Sequence, residues 1–351
     1  MRVPIEIRTI EELRNFKLFD HIKEVFNKAS KNGELIYKDA SNFEILKDKE
    51  TKMEYEVKIV EALSKRPNNR ALEPGCGKAE ITDDILSTVQ KKNPFLHPEP
   101  ELTIIDSLMD KYRLILNKYP NTKYHFLLVT KEFEKQDSLL KPTEMQIMHT
   151  ILDNLNNKNE NEGIKYFSFF NSGPESGYSQ FHKHIQFMLL PTKLNIYQES
   201  VVKNVDYFIP KEMISQNRPL FYKKATFKHY ILKLKGEDEI EDEEDERDSL
   251  GLLYMYLIKR CMNIFKEYEM DDLKLSYNFL MMPDWMMIVP RRSAKYEDIW
   301  QNSLGFMGLV CVKNTELKNK VLNIGFSKIL QECGFPMEED EDKIVYNEYG
   351  Y

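Results

Sequence analysis

The sequence predicts an α+β protein in which an antiparallel sheet is covered by helices. Two observations predict the sheet. Apolar stretches come in pairs joined by short proline turns, 112–120 with 124–133 and 275–282 with 285–291, the pattern of neighbouring antiparallel strands. A third observation predicts the helices, because the segments 9–33, 142–155 and 249–268 repeat apolar residues at helical spacing. At 351 residues the chain suits one large unit or about two domains, with a sizeable core and no need of staples.

Composition narrows the class. Cys76, Cys261, Cys311 and Cys333 are far apart with no Cys-x-x-Cys pair, which argues against a disulfide framework and a zinc ribbon and favours a reducing compartment. The formal net charge of −7 comes from acidic and basic residues mixed along most of the chain, which leaves no footprint for duplex nucleic acid. The N-terminus lacks an apolar core of signal-peptide length, and no apolar run spans a bilayer. A soluble, cytoplasmic monomer without nucleic-acid or membrane partners is expected.

In chain order, Thr9-Ile-Glu-Glu12 reads as a capping box. It opens one helix through Ile10, Leu13, Phe16, Phe19, Ile22 and Phe26, ended by Gly33. Strands are expected at 36–40 and 55–60. Leu72-Glu-Pro-Gly-Cys-Gly77 has the look of a methyltransferase glycine loop, but the residues before it, Asn68-Asn-Arg-Ala71, are poor strand formers. The stretch 68–92 therefore reads as an insertion, a surface loop with a short helix at 81–90. The paired strands 112–120 and 124–133 follow, then a helix from Pro142 and an apolar strand at 166–170. Residues 236–248 are nearly all acidic and read as a disordered connection before the helix at 249–268.

The chemistry centres on Asn171-Ser-Gly-Pro-Glu-Ser-Gly-Tyr-Ser-Gln180, a loop of small residues, followed directly by Phe181-His-Lys-His-Ile-Gln-Phe187. Gly173 and Gly177 allow positive φ and close approach of a ligand. From Phe181 the pattern is a strand, which sends His182, His184 and Gln186 to one face and Lys183, Ile185 and Phe187 to the other. Neutral imidazole is nucleophilic at physiological pH and can attack phosphorus without a separate base. Loop N–H groups, Ser179, Gln180 and Gln186 can serve the charged oxygens. Paired histidines also bind zinc, but no cysteine or acidic residue lies close in sequence to complete such a site.

His182-Lys-His-Ile-Gln186 and the preceding loop together resemble the diadenosine tetraphosphate phosphorylase, or ATP adenylyltransferase, family. This belongs to the galactose-1-phosphate uridylyltransferase branch of the histidine-triad superfamily. Further segments are similar to that family: Leu116-Asn-Lys-Tyr-Pro120, His125-Phe-Leu-Leu-Val-Thr-Lys-Glu-Phe133, Ser276-Tyr-Asn278 through Pro290-Arg291, and 302–313. One departure is Met282 where the family has threonine, followed by Pro283, which removes a hydroxyl able to contact phosphate.

The resemblance implies an HIT-like, GalT-type fold, with a catalytic region at 1–202 and a region at 203–351 that completes the nucleotide site. It implies phosphorolysis of diadenosine tetraphosphate by inorganic phosphate to ADP and ATP. His184 would be the nucleophile forming an adenylyl-enzyme, with His182 on the phosphate or leaving group and Gln186 on the non-bridging oxygens. Lys65 or Arg66, Asn117, Lys118, Asn171, Gly177, Tyr178, Ser179, Gln180, Asn278 and Lys295 would contact substrate. A divalent cation, magnesium or manganese, is expected through the polyphosphate, with no organic cofactor. His125 and His229 are read as structural. The rival readings are a dinucleotide hydrolase or sugar-phosphate nucleotidyltransferase, and a non-catalytic nucleotide sensor.

Overall fold

A computed structural model of the chain describes residues 3–37, 43–60, 63, 93–157, 163–203, 219–234, 242–271 and 274–337. Lys65, Arg66, Cys76, the insertion with its expected helix, and the acidic residues up to 241 lie outside the described residues.

The first half contains β1 (Glu6–Ile7), α1 (Ile10–Asn15), α2 (Leu18–Lys31), β2 (Phe43–Lys47), β3 (Glu54–Ile59), β4 (Thr103–Leu108), β5 (Tyr112–Leu116) and β6 (Phe126–Thr130). It continues through α3 (Pro142–Asn157), β7 (Lys165–Ser172), β8 (His184–Leu190) and α4 (Tyr197–Val202). The second half adds β9 (Tyr230–Lys233), α5 (Glu243–Glu267), β10 (Tyr277–Met282) and β11 (Trp285–Pro290). After these come β12 (Lys295–Tyr296), β13 (Ile299–Trp300), α6 (Ser303–Phe306), β14 (Leu309–Val312), α7 (Thr315–Ile324) and α8 (Phe326–Cys333).

Nine strands form the central sheet in the order β1-β4-β5-β6-β8-β7-β10-β11-β9. Every neighbouring pair is antiparallel except edge strand β1, which lies parallel to β4. The expected antiparallel sheet is thus mixed at one edge. A separate sheet, β14-β3-β2, includes a parallel pair of β14 with β3. Both expected hairpin pairs form, β5 with β6 and β10 with β11.

The two faces of the sheet bury different cores. Helices α2, α3 and α5 cover one face with Phe19, Ile22, Ile151, Leu152, Tyr254 and Leu257, against Ile185 and Phe187 of β8. The other face packs Met188, Leu190, Leu280, Met282 and Trp285 against β3, β14 and the short helices. Period-two alternation gives His184 and Gln186 to this second face, beside a small apolar cluster of Phe95, Ile115, Leu127 and Val129. Lys183 points the other way, buried against Glu144 at 2.7 Å.

Several local expectations change. The first helix is two, because Phe16 turns extended at ψ 140, and the Asn154 side chain of α3 donates to Leu13 O, Arg14 O and Phe16 O at 2.9, 3.0 and 2.9 Å. A long-range amide thus satisfies carbonyls that a continuous helix would have used. Residues 36–37 are not strand, and the strand of this region is β2. The acidic run is not wholly a loose connection: α5 starts at Glu243, capped by the Asp242 carboxylate on Glu244 N and Asp245 N, and acidic side chains favour a helix N-terminus. The strand expected from Phe181 begins at His184, with His182 held in an isolated bridge to Lys135.

Candidate active site

His184 is fixed by a local geometry that decides its tautomer. Its Nδ1 lies 2.8 Å from the carbonyl oxygen of His182, which can only accept, so Nδ1 carries the hydrogen and Nε2 the lone pair. Among the described residues Nε2 has no hydrogen-bond partner. Burial is the main influence on the ring and pushes its pKa down to about 4, against the favourable bond to His182 and together with that neighbour's charge. The side chain is therefore neutral at physiological pH, with Nδ1 tethered and the lone pair on Nε2.

His182 takes the opposite tautomer. Asn93 Nδ2 donates to its Nδ1 at 2.8 Å, and the Asn93 amide is oriented because its Oδ1 accepts from Phe95 N at 2.9 Å. Nε2 then donates to Thr130 Oγ1 at 2.8 Å, and that hydroxyl donates to Glu132 O at 2.7 Å. Both ring nitrogens are thus engaged inside the protein, and the expected bond from this ring to phosphate has no free nitrogen here. His182 acts on its neighbour through its backbone carbonyl. Phe95 covers both imidazoles, with ring centroids 5.8 Å from His182 and 5.3 Å from His184.

Gln186 completes the row. His125 Nδ1 accepts from Asn121 N at 3.4 Å, which leaves Nε2–H to donate to Gln186 Oε1 at 3.2 Å. His125, read as structural, thus orients the Gln186 amide. Asn117 approaches the same ring through Nδ2 at 3.5 Å and holds Tyr119 N with Oδ1. The Lys118 ammonium pairs with Glu99 at 2.5 Å, both side chains partly exposed.

Asn171 and Asn278 are drawn together, but into a buried knot. Asn171 Oδ1 accepts from Asn278 Nδ2 at 2.8 Å, Ser303 N at 3.1 Å and Ser303 Oγ at 2.6 Å. Asn278 also donates to Ser176 O and accepts from Arg291. Arg291 is fully buried and spends its other donors on the carbonyls of Cys333, Ser176, Ser293 and Gln301. Burial lowers its pKa to about 10, so it stays charged. Three donors thus occupy Oδ1, and the amide Nδ2 is the group of Asn171 that could donate to a phosphate oxygen.

Both loop glycines adopt the positive φ expected of them, and both also lie against backbone. A Cβ on Gly177, at φ +77, would stand 2.1 Å from Gln301 O, and one on Gly173 would stand 2.2 Å from Leu275 O. What approaches them is backbone of the second half of the chain. Tyr178 is buried with its ring edge-on to Phe181 at 5.8 Å, while Ser179 and Gln180 are half-buried with no side-chain bond to another described residue. Lys295 is exposed on the β12–β13 ribbon, its ammonium 5.4 Å from the Trp300 ring. Met282 is buried opposite Trp285, so the position where the family carries threonine packs here as core.

Asn93, Thr130 and Gln136 meet the row without having been singled out in the sequence. Asn93 and Gln136 are isolated polar residues away from the signature and carry no spacing signal, whereas Thr130 ends β6 inside the family-like segment 125–133. Among the described residues no cluster of three or more His, Cys, Asp or Glu side chains is arranged to hold a metal ion.

Residues 8–204 match the family described as the Ap4A phosphorylase N-terminal domain, and residues 223–336 match the ATP adenylyltransferase C-terminal domain. The chain belongs to the Ap4A phosphorylase family. Two relatives in Saccharomyces cerevisiae agree with this over nearly the whole length. Diadenosine 5',5'''-P1,P4-tetraphosphate phosphorylase 2 is 33% identical over 349 residues, covering 96% of this chain and 99% of the relative. Protein APA1 is 30% identical over 340 residues, covering 94% and 97%. The crystal structure of yeast Ap4A phosphorylase Apa2 in complex with Ap4A superposes with a TM-score of 0.72 at 30% identity, covering 91% of this chain and 97% of that one. Like other members of the phosphorylase family, the chain is a nucleotidyltransferase, and no helix among the described residues is long and apolar enough to cross a membrane.

Proposed function

We propose that the chain catalyses phosphorolysis of diadenosine tetraphosphate, giving ATP and ADP, with His184 as the group that carries the adenylyl moiety. The observation that carries this reading is the tautomer of His184: Nδ1–H is tied to His182 O at 2.8 Å, so the lone pair is on Nε2. That lone pair forms a bond to the α-phosphorus of the dinucleotide while the bond from that phosphorus to the bridging oxygen breaks. The bridging oxygen leaves with the electron pair as part of ATP. In the second half an oxygen of inorganic phosphate bonds to the same phosphorus, the P–N bond breaks back to Nε2, and ADP departs. No proton has to be removed from the nucleophile first, so no general base is required.

Gln186 is oriented by His125 through its carbonyl oxygen, which turns the amide NH₂ of Gln186 outward as a donor for a non-bridging oxygen. A divalent cation, where present, would be held by the polyphosphate oxygens themselves and supply charge neutralisation there. The names of the yeast relatives support the substrate, since one is a diadenosine tetraphosphate phosphorylase and the Apa2 crystal structure contains Ap4A.

The test is to mix protein with the dinucleotide without phosphate and measure the intact mass after rapid quenching. An acid-labile adenylate adduct is expected on the native chain and none on His184→Ala. Adduct or full turnover in His184→Ala overturns the assignment. Labelled dinucleotide then separates a phosphorylase from a hydrolase, because ADP, and ATP beyond one equivalent per enzyme, should appear only when inorganic phosphate is added, whereas a hydrolase turns over and releases AMP without it.

A further inference from the structure

We propose that Gln136 is a positioning residue for His184, its side-chain amide replacing the β7 partner that His184 lacks on the side away from Val129 of β6. The β7–β8 ladder ends at the pair Phe169 with Gln186. Two residues further along, the register would set Asn171 against His184, and the Gln136 side chain enters at that point. Its Oε1 accepts from His184 N at 2.8 Å, and its Nε2 donates to His184 O at 3.2 Å and to Asn171 O at 2.8 Å. Both backbone groups of His184 and the facing carbonyl are therefore satisfied by one amide that is only 2% exposed.

The orientation of that amide is not arbitrary. The His184 N–H requires an acceptor and the two carbonyls require a donor, so the flipped amide would place oxygen against two oxygens and NH₂ against N–H. The segment bearing Gln136 is anchored to the same stretch of chain, because Gln136 N donates to Phe181 O and Lys183 N donates to Glu134 O, each at 2.8 Å. Residues 134–136 thus run beside 181–183, and the side chain reaches one step further to the nucleophile. This matters because His184 is the first residue of its strand, where backbone drifts more freely than in the middle of a ladder. The bond from Nδ1 to His182 O closes within the same short stretch, so backbone movement at 184 would loosen the ring as well.

The inference rests on the reading of His184 as nucleophile. A nucleophile displaced by about 1 Å loses on the order of 10²-fold in rate, while binding of the rest of the substrate is untouched. Gln136→Met keeps the length and bulk of the side chain and removes all three bonds; Gln136→Glu keeps the acceptor and sets a carboxylate against two carbonyls. Both are expected to lower the rate of adduct formation roughly 10- to 100-fold, with KM for the dinucleotide within about twofold of native, the split that marks loss at the transition state alone. Native adduct formation in Gln136→Met, or a change confined to KM, overturns the proposal.

Hydrogen exchange gives a readout that needs no catalysis. In the native chain the His184 amide should exchange as slowly as the ladder amides of β8, and in Gln136→Met it should exchange fast. A native His184 amide that exchanges like a loop amide overturns the proposal even if neither variant folds. Should the native chain form no adduct at all, the nucleophile reading fails, and the exchange result still shows separately whether Gln136 holds this backbone.

Discussion

Two imidazoles in this chain share one local arrangement and differ at the second nitrogen. His184 and His229 each donate Nδ1–H to the carbonyl two residues earlier, at 2.8 and 2.9 Å, and burial pushes each down to about 4. What separates them is the other nitrogen. Tyr222 N donates to Nε2 of His229 at 2.8 Å, so that lone pair is spent, while Nε2 of His184 keeps its own. A depressed pKa therefore does not tell the two rings apart; the unspent nitrogen does, and the proposed role of His184 rests on it. Both rings are neutral when folded and can charge at about 6.5 when unfolded, so between 6.5 and about 4 the unfolded chain binds more protons and stability falls with falling pH. Activity follows a different limb. The rate of adduct formation, measured without phosphate, should show no decline at 6.5 and should hold down towards pH 4 or the onset of acid unfolding. An acid limb centred near 6.5, from a group that His184→Ala removes, would contradict this.

At the scale of elements, the hairpin β10–β11 and the loop before β8 carry two sharp expectations. Gly177→Ala combines an unfavourable φ of +77 with a Cβ 2.1 Å from the backbone oxygen of Gln301. Backbone cannot yield as a flexible side chain can, so the loop should separate from the 301–303 segment. Adduct formation should fall at least tenfold, a loss on the scale of misplaced reacting groups, with a lowered melting temperature. Met282→Thr should not improve catalysis. It sets a hydroxyl into the apolar cluster around Trp285 and is expected to cost about 1–3 kcal/mol of stability, read by denaturant unfolding, with kcat within about twofold of native.

Helix α5 supplies a pH-dependent clamp. His149 Nδ1 lies 2.8 Å from Glu246 and Nε2 3.1 Å from Pro283 O, so both nitrogens face acceptors and the ring favours its charged form. Burial lowers the His149 pKa, but the bond to Glu246, the charges of Asp153 and Glu246 and the bond to Pro283 O together raise it above 6.5. For Glu246 burial is again opposed, and the bond and charge of His149 with Gln146 and Arg14 hold the carboxyl below 4.5. The histidine contribution is complete below 6.5 and is lost as pH rises through its folded value. The carboxylate contribution is complete above 4.5 and is lost as pH falls through its folded value. The clamp is therefore strongest between 4.5 and 6.5, and thermal melts of Glu246→Gln should fall furthest below native in that window. A deficit independent of pH would sink the clamp.

At the scale of the whole molecule, the two halves of the chain build one sheet. Strand β7 of the first half pairs along five residues with β10 of the second, from Tyr277 opposite Ser172 to Met281 opposite Ser168. Cutting there would expose two central strand edges and the fully buried Asn171 and Asn278. Denaturant unfolding of the intact chain, followed by fluorescence and circular dichroism, should therefore give coincident transitions with one midpoint. Two separated transitions would show that the halves fold independently despite the shared ladder.

Periodicity made the elements legible, since side-chain direction repeats every two residues in a strand and about every 3.6 in a helix. The paired strands, the helix from Pro142 and the shared face of His184 and Gln186 followed from that rule within single short segments. The break at Phe16 did not, because its cause is an amide on Asn154, and neither did the early start of α5, where acidic residues that read as self-repelling are stabilised at a helix N-terminus. The partners of the site escaped the sequence for the same reason. Asn93 reaches His182 across 89 positions, Asn171 meets Ser303 across 132, and Gln136 meets His184 across 48. The sequence by itself determined which residue types stand in a row and on which face. Only the tertiary structure decided which nitrogen of His184 is left with its lone pair, and that Asn171 and Asn278 turn inward, because hydrogen bonds are directional and their partners come from strands and loops remote in the chain.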